Sequence, residues 1–351
     1  MRIRYWLAAF ISCAALLSQP WTQAADTAPA QATPHYKLAK SISLGAPDRW
    51  DYVVFDPATH HVFVAHGDRL EVVDGTDGSI VGQVEGFAGG THGIAIVGEL
   101  GVGYTDDGRA GEAGAFDLKT FKPIKRIATA PDADGMVFDP ASQHVFVING
   151  DSGSVTVIDP KQQAAIVTVQ AGEALEYGVV DARGKLYVNG SEKKELLRID
   201  TQTNQIDARW PIPDCTSPHG LAIDTASRRL FTSCVNERLI VVNADSGAVV
   251  ATLPIGSGTD AVAFDPKRKL IFSSNGRDGT LSVLLEQDPH SFKALDTVTT
   301  TPSARTMSID PATGRLYIAA AEYAPLPPGS APRTRPTVVP GTLKLLFFDP
   351  L

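Results

Sequence analysis

A unit of about 42 residues recurs along almost the whole chain of 351 residues, and it constrains the fold more than any other feature. Each copy carries an apolar alternation that usually ends in Asp, as in Asp51–Asp56 and Asp260–Asp265. The first residues of the seven copies stand 41, 42, 42, 43, 41 and 45 positions apart, and the copies at His92–Val97 and Glu176–Asp181 are degenerate. A repeat of this length is typical of solenoids, propellers and similar arrays.

The pattern inside each unit predicts strands. In the third unit we expect four strands, over residues 135–138, 144–148, 154–158 and 165–169, separated by turn residues such as Asp139-Pro140 and Asn149-Gly150. Period-two alternation and β-branched residues favour strands, and no helical period interrupts them. Four-stranded units of this length form the blades of propellers. The sequence therefore predicts an all-β fold, a seven-bladed β-propeller.

The two ends of the chain predict how the ring closes. The last unit supplies only three strands, over residues 307–309, 316–320 and 343–348. Tyr36–Leu44 resembles the fourth strand of the other units. We expect this N-terminal strand to complete the last blade, because an unpaired sheet edge would otherwise remain.

The first residues predict export. Arg2 and Arg4 precede an apolar run of about eleven residues, and Thr22-Gln23-Ala24 supplies a small-residue cleavage site. We expect a signal peptide over residues 1–24, a flexible linker over 25–35 and a single propeller over 36–351. Cleavage after Ala24 leaves 29 basic against 39 acidic residues, a net charge of −10. The predicted location is periplasmic or secreted, with no transmembrane segment in the mature chain.

Two cysteines remain after cleavage, Cys215 and Cys234. In an oxidising compartment an isolated pair most often forms a structural disulfide. We therefore expect a disulfide that fixes the loop before His219.

The first residues of the seven copies are the candidate ligand-binding ring, because the innermost strand of each blade begins at the mouth of the central channel. All seven are ionisable: Asp51, His92, Asp134, Glu176, His219, Asp260 and Arg305. With neutral His, the ring carries four negative charges and one positive charge, which favours cations. The alternative is that these residues are only hydrated channel lining.

A divalent metal ion is a further possibility at this ring. The candidate ligands are Asp134, Glu176, His219 and Asp260. Oxygen ligands suit Ca²⁺ or Mg²⁺, whereas His together with carboxylates suits a transition metal.

Loops at the same mouth add candidate rim residues, namely Trp50, His66, Asn149, Asn189, Asn236, Asn275 and Glu322. Asn in such loops is more often a turn former than a ligand contact. The rings of Tyr52 and Tyr177 either form a wall for a ligand or pack between blades, and we favour packing. The proline-rich segment 323–340 is an insertion in the last blade, either a lid or docking element or a disordered loop.

Three motifs resemble the YVTN repeats of the YncE-like periplasmic and surface propellers: Val145–Gly150, Leu186–Gly190 and Leu270–Gly276. The resemblance covers essentially residues 36–351. It implies a secreted seven-bladed binding protein, with nucleic-acid binding among some members. It implies no catalytic residue set.

Three functions follow as hypotheses. The first is a monomeric, non-catalytic binding or scaffolding protein that holds a small ligand, a metal ion or a protein partner at the upper face. The second is a metal-assisted lyase or hydrolase, similar to lactonase-like and streptogramin-lyase-like propellers, with His92 or His219 as general base and Arg305 holding an anionic substrate. The third is binding of single-stranded DNA, which the charge of −10 opposes.

Overall fold

The described residues form seven antiparallel four-stranded sheets arranged as the blades of a β-propeller. A computed structural model describes residues 35–327, 329, 334 and 336–351. The predicted all-β, seven-bladed fold is confirmed. The predicted signal peptide at 1–24 and all but the last residue of the predicted linker lie outside the described residues.

Blades 1 to 3 each consist of four consecutive strands, ordered from the channel outward. Blade 1 contains β2 (Val53–Asp56), β3 (His61–His66), β4 (Arg69–Asp74) and β5 (Ile80–Glu85). Blade 2 contains β6 (Ile94–Val97), β7 (Val102–Asp107), β8 (Glu112–Asp117) and β9 (Pro123–Ala128). Blade 3 contains β10 (Ala133–Asp139), β11 (His144–Asn149), β12 (Ser154–Asp159) and β13 (Ala164–Gln170).

Blades 4 to 6 repeat this order. Blade 4 contains β14 (Leu175–Val180), β15 (Lys185–Gly190), β16 (Glu195–Asp200) and β17 (Gln205–Pro211). Blade 5 contains β18 (Pro218–Asp224), β19 (Arg229–Cys234), β20 (Arg238–Asn243) and β21 (Val249–Pro254). Blade 6 contains β22 (Thr259–Asp265), β23 (Leu270–Asn275), β24 (Thr280–Asp288) and β25 (Ser291–Thr299).

Blade 7 combines both ends of the chain. It contains β26 (Thr306–Ile309), β27 (Leu316–Ala320), β28 (Lys344–Pro350) and, as its outermost strand, β1 (Tyr36–Ser43). β1 pairs antiparallel with β28, with Tyr36 opposite Pro350 and Ser43 opposite Lys344. The predicted closure of the last blade by the N-terminal strand is what the structure shows.

Short helices are confined to blade 2 in the described part of the chain. They are the 3₁₀ turns η1 (Gly98–Leu100) and η2 (Gly108–Ala110). No helix of the described residues has the length and hydropathy needed to cross a bilayer.

The innermost strands form a complete ring around the channel. Each one contacts the innermost strand of the next blade, and β26 contacts β2 to close the circle. The hydrophobic core lies between the blades, since each of the seven apolar clusters of the described residues draws on two adjacent blades. At the junction of blades 7 and 1, for example, Phe55 stacks on Tyr317 with ring centroids 5.4 Å apart.

The proline-rich insertion begins and ends as a short extension of the last blade. Tyr323 bridges Val338, and the Ala324 amide donates to the Thr337 carbonyl at 2.8 Å. Residues 328, 330–333 and 335 within it lie outside the described residues, so the prediction of a lid or disordered loop stays open.

The closing strand yields a stability prediction. A chain that begins at residue 44 lacks β1, and we expect it to melt at least about 10 °C below a control chain that begins at residue 35. The reason is that β28 loses its outer hydrogen bonds and Phe272 loses its contact with the Tyr36 ring, at a centroid distance of 5.0 Å. Calorimetry measures both chains, and equal melting temperatures would show that β1 does not hold the ring closed.

Candidate functional site

The seven predicted ring residues all lie at or just before the start of an innermost strand. These starts share one end of the channel, which we call the upper face. Asp134, Glu176, His219 and Asp260 are the second residues of their strands. Arg305 immediately precedes its strand, and Asp51 and His92 each lie two residues before theirs.

A β-bulge recurs at four of these ring residues. In blade 3, Asp134 and Gly135 oppose the single residue Ile148, because the pairing jumps from Ala133 to Met136. The innermost strands of blades 4, 5 and 6 show the same jump at the equivalent position. Such a two-against-one bulge leaves the extra residue unpaired and changes the direction of its side chain.

One cavity of about 180 Å³ collects six of the seven ring residues. Its lining consists of Asp51, Tyr52, Asp134, Glu176, Tyr177, His219, Asp260, Arg305 and Thr306. A cavity of about 150 Å³ accommodates benzene, so this one has room for a small organic molecule. The structure thus brings together residues that are far apart in the chain.

Two tyrosines from distant blades meet at the cavity. Tyr52 belongs to blade 1 and Tyr177 to blade 4, yet their ring centroids are only 4.7 Å apart at an interplanar angle of 32°. Burial raises the pKa of both hydroxyls, so they are neutral at physiological pH. Both rings line the cavity, and Tyr177 also packs against the apolar cluster between blades 4 and 5, as expected.

Small residues occupy most of the equivalent positions in the other blades. The residue that follows the ring residue is Gly93, Gly135, Gly220 and Ala261 in blades 2, 3, 5 and 6. A Cβ atom added to Gly135 would lie 3.3 Å from the Tyr52 hydroxyl. Gly135 therefore leaves room for the Tyr52 hydroxyl, whereas a Cβ atom on Gly93 or Gly220 would meet the backbone of the next blade.

The seventh ring residue, His92, is held beside the cavity by its neighbours. Asp106 accepts hydrogen bonds from the His92 amide at 2.8 Å and from Nδ1 at 2.7 Å. The Arg49 guanidinium lies 2.9 Å from Nε2 and can only donate, so this arrangement requires a neutral imidazole protonated on Nδ1. Burial opposes charge on His92, but the bond and charge of Asp106 prevail and raise its pKa.

Arg305 is already engaged within the cavity wall. Its guanidinium donates to Asp260 at 2.9 Å and to the Trp50 carbonyl at 2.9 Å. It also lies over the buried Trp50 ring, 5.3 Å from the centroid. Asp260 therefore neutralises the one Arg charge of the ring.

Three carboxylates remain without a hydrogen-bond partner among the described residues: Asp51, Asp134 and Glu176. Burial, followed by the charges of Asp51 and Asp106, raises the pKa of Asp134 well above its usual value. Burial also raises the pKa of Asp51, although Arg305 acts against it. Burial, opposed by His219 and reinforced by Asp260, raises the pKa of Glu176 to about 7. The cavity thus favours protons or other cations.

The predicted disulfide is present and holds the loop that carries His219. Cys215 and Cys234 are bonded, with Cα atoms 5.2 Å apart. His219 Nδ1 lies 3.1 Å from the Ser217 carbonyl, to which it donates, leaving Nε2 as an acceptor in the neutral form. The Asn189 amide donates to the His219 carbonyl at 2.6 Å.

The predicted rim residues mostly serve the fold. His66 is buried beside the Pro47 carbonyl, at 2.6 Å from Nε2. Asn149 and Asn275 are buried and donate to Ser and Thr oxygens of their own blades. Asn236 accepts from the Thr216 amide at 2.9 Å, and exposed Glu322 pairs with Lys344 at 2.9 Å. None of the predicted rim residues lines the cavity.

The described residues contain no group of three or more His, Cys, Asp or Glu side chains placed to hold a metal ion. The four predicted ligands, Asp134, Glu176, His219 and Asp260, line one cavity without forming such a group. Sequence reasoning also missed Arg49 and Thr306. Arg49 lies two residues before the first repeat copy, so its closeness to the ring residue Asp51 could have indicated it.

Comparison with known proteins gives a family likeness and a fold. No protein-family model matches the chain. The uncharacterized protein YncE of Salmonella typhimurium is 25% identical over 189 residues, and that of Salmonella typhi is 24% identical over the same length. Each match covers 52% of this chain and 52% of the relative, so the chain spans about half the length of the curated relatives it matches.

Two solved structures share the architecture. The Kuenenia stuttgartiensis hydrazine synthase matches with a TM-score of 0.66 and 12% identity over 76% of this chain and 91% of that chain. A chain of the mitotic checkpoint complex matches with a TM-score of 0.72 and 14% identity over 89% and 94%. At these identities the likeness concerns the fold alone.

The disulfide gives a prediction for the site. We expect the Cys215→Ser/Cys234→Ser variant to lose about 3 kcal/mol of unfolding free energy, since the bond closes a loop with a sequence separation of 19. Urea denaturation measures the loss. A variant as stable as the parent would show that the bond does not restrain this loop.

The raised pKa of Glu176 predicts a pH dependence of stability. Between its usual 4.5 and about 7, the folded state keeps a proton that the unfolded chain has released. Glu176 therefore contributes a fall in the unfolding free energy of the parent as pH rises through this range. We expect Glu176→Gln to reduce that fall by on the order of 2 kcal/mol, allowing for solvent in the cavity.

The control for this experiment is Glu99→Gln, which removes the same charge from the exposed turn η1 at the opposite face. Urea denaturation at pH 5, 6, 7 and 8 compares the three proteins. Parallel profiles for Glu176→Gln and the parent would mean that Glu176 is ionised throughout.

Proposed function

We propose that this YncE-like seven-bladed propeller is an exported, non-catalytic binding protein whose central cavity takes a small, positively charged ligand. The Cys215–Cys234 disulfide and the likeness to YncE support a periplasmic or extracellular location. The features of residues 1–24 also support export, although those residues lie outside the described part of the chain.

The observation that carries the proposal is the set of unpaired carboxylates in the cavity. Asp51, Asp134 and Glu176 face one small volume, while the Arg305 charge is already neutralised by Asp260. Like charges in a partly buried site oppose one another's ionisation, and a bound cation relieves that repulsion. Low-dielectric walls strengthen the attraction relative to open solvent.

The other two hypotheses have less support. A metal-assisted lyase or hydrolase needs a metal site and a free Arg305, whereas the described residues offer no metal-ligand group and Arg305 is bonded on two sides. For DNA binding, the Arg228–Arg229 pair does not provide a free basic patch. Arg228 is paired with Asp181 and Asp245, and Arg229 is buried.

The proposal predicts charge-dependent binding. Isothermal titration at pH 8, in a buffer without amines, compares two monocations, methylguanidinium and tert-butylammonium, with neutral methylurea. We expect at least one cation to bind with a Kd on the order of 1 mM, as suits five non-hydrogen atoms, and methylurea not to bind. Lowering the pH to 6 should weaken binding because Glu176 takes up a proton.

Variants locate the binding. Asp134→Asn and Glu176→Gln should each weaken cation binding at least about tenfold, because each removes one charge from the cavity. Glu99→Gln, on the opposite face, should leave it unchanged. If neither cation binds, or if methylurea binds equally well, the proposed function is wrong.

A further inference from the structure

The cavity wall already contains one bound guanidinium group, that of Arg305. Its Cζ lies over the Trp50 ring, 5.3 Å from the centroid, and one of its nitrogens donates to the Asp260 carboxylate at 2.9 Å. A guanidinium suits this combination because it is planar, weakly hydrated and able to stack while its N–H groups reach carboxylates. The cavity wall therefore already accommodates a guanidinium group, between an aromatic ring and a carboxylate.

The same cavity contains these elements a second time, without an occupant from the chain. Tyr52 and Tyr177 supply aromatic surface. The carboxylates of Asp134 and Glu176 line the same cavity and have no hydrogen-bond partner among the described residues. Trp50 with Asp260 holds Arg305, and the tyrosine pair with these carboxylates offers the same kind of surroundings.

The position of the carboxylates around the tyrosine pair also favours a flat, forked donor. Asp51, Asp134 and Glu176 begin the innermost strands of blades 1, 3 and 4, so they approach the cavity from different directions. A planar amidinium or guanidinium spreads its N–H groups around one edge and can reach two carboxylates at once. A compact ammonium group is strongly hydrated and presents no flat face to an aromatic ring.

We propose that the cavity selects a flat cation, the amidinium or guanidinium group of a small molecule, and that Tyr52 and Tyr177 determine this preference. The inference rests on the proposed function and adds the ligand class. The cavity volume of about 180 Å³ also limits the size of the ligand.

The test uses the two monocations already introduced, which both have five non-hydrogen atoms and one charge. Methylguanidinium is planar, whereas tert-butylammonium is tetrahedral. We expect the mature protein to bind methylguanidinium at least tenfold more tightly, measured by isothermal titration at pH 8.

Substitution of the tyrosines then tests their role. Tyr177→Leu should lose most of the tenfold preference, whereas Tyr177→Phe keeps the ring and should keep the preference. Tyr52→Leu and Tyr52→Phe form a second pair with the same expectation, which covers the case in which one Leu variant does not fold. Circular dichroism and melting curves confirm that each variant is folded.

The outcomes separate this inference from the function on which it rests. If both cations bind with equal affinity, or tert-butylammonium binds more tightly, the cavity binds cations but does not select flat ones, and the inference is overturned. A preference that survives in both Leu variants overturns the role of the tyrosines. If neither cation binds, the proposed function fails and the inference fails with it.

Discussion

The pairing of β1 with β28 is the interaction on which the rest of the structure depends. It joins residues near the two ends of the described chain and completes the seventh blade. Because the core lies between the blades, each blade is stabilised only by its two neighbours, and a missing strand would expose a sheet edge and part of the adjoining apolar cluster. Ring closure also sets the channel width, and therefore brings side chains of distant blades within reach of one another.

The carboxylates that the fold brings together in the cavity oppose its stability. Asp51, Asp134 and Glu176 lie together without partners in the described chain, and burial raises the pKa of each. Such an arrangement does not stabilise a folded protein at neutral pH, since ionised carboxylates repel one another. Perturbed titration in a cavity is characteristic of sites that bind or transform a ligand. By contrast, Asp260 and Arg305 neutralise each other and form part of the wall.

Equivalent positions in a repeat do not have equivalent roles. His92 and His219 occupy the same place in blades 2 and 5, and the repeat pattern predicts the same exposure to the channel for both. The structure places His219 in the cavity lining but binds His92 between Asp106 and Arg49. The difference arises from side chains outside the repeat motif, so the spacing of the motif could not reveal it.

The amino-acid sequence by itself determined the blade count, the closing strand and the disulfide. These follow from local rules: alternation and turn residues define strands, a fixed period defines blades, and an isolated pair of cysteines in an oxidising compartment most often forms a disulfide. Only the tertiary structure decided which ring residues meet, because that depends on the bulges that turn Asp134, Glu176 and their equivalents, and on the width of the closed ring. The contact between Tyr52 and Tyr177 is the clearest case. Their separation in the chain carries no information about a distance across the channel axis, and the absence of a side chain at Gly135 leaves room for the Tyr52 hydroxyl.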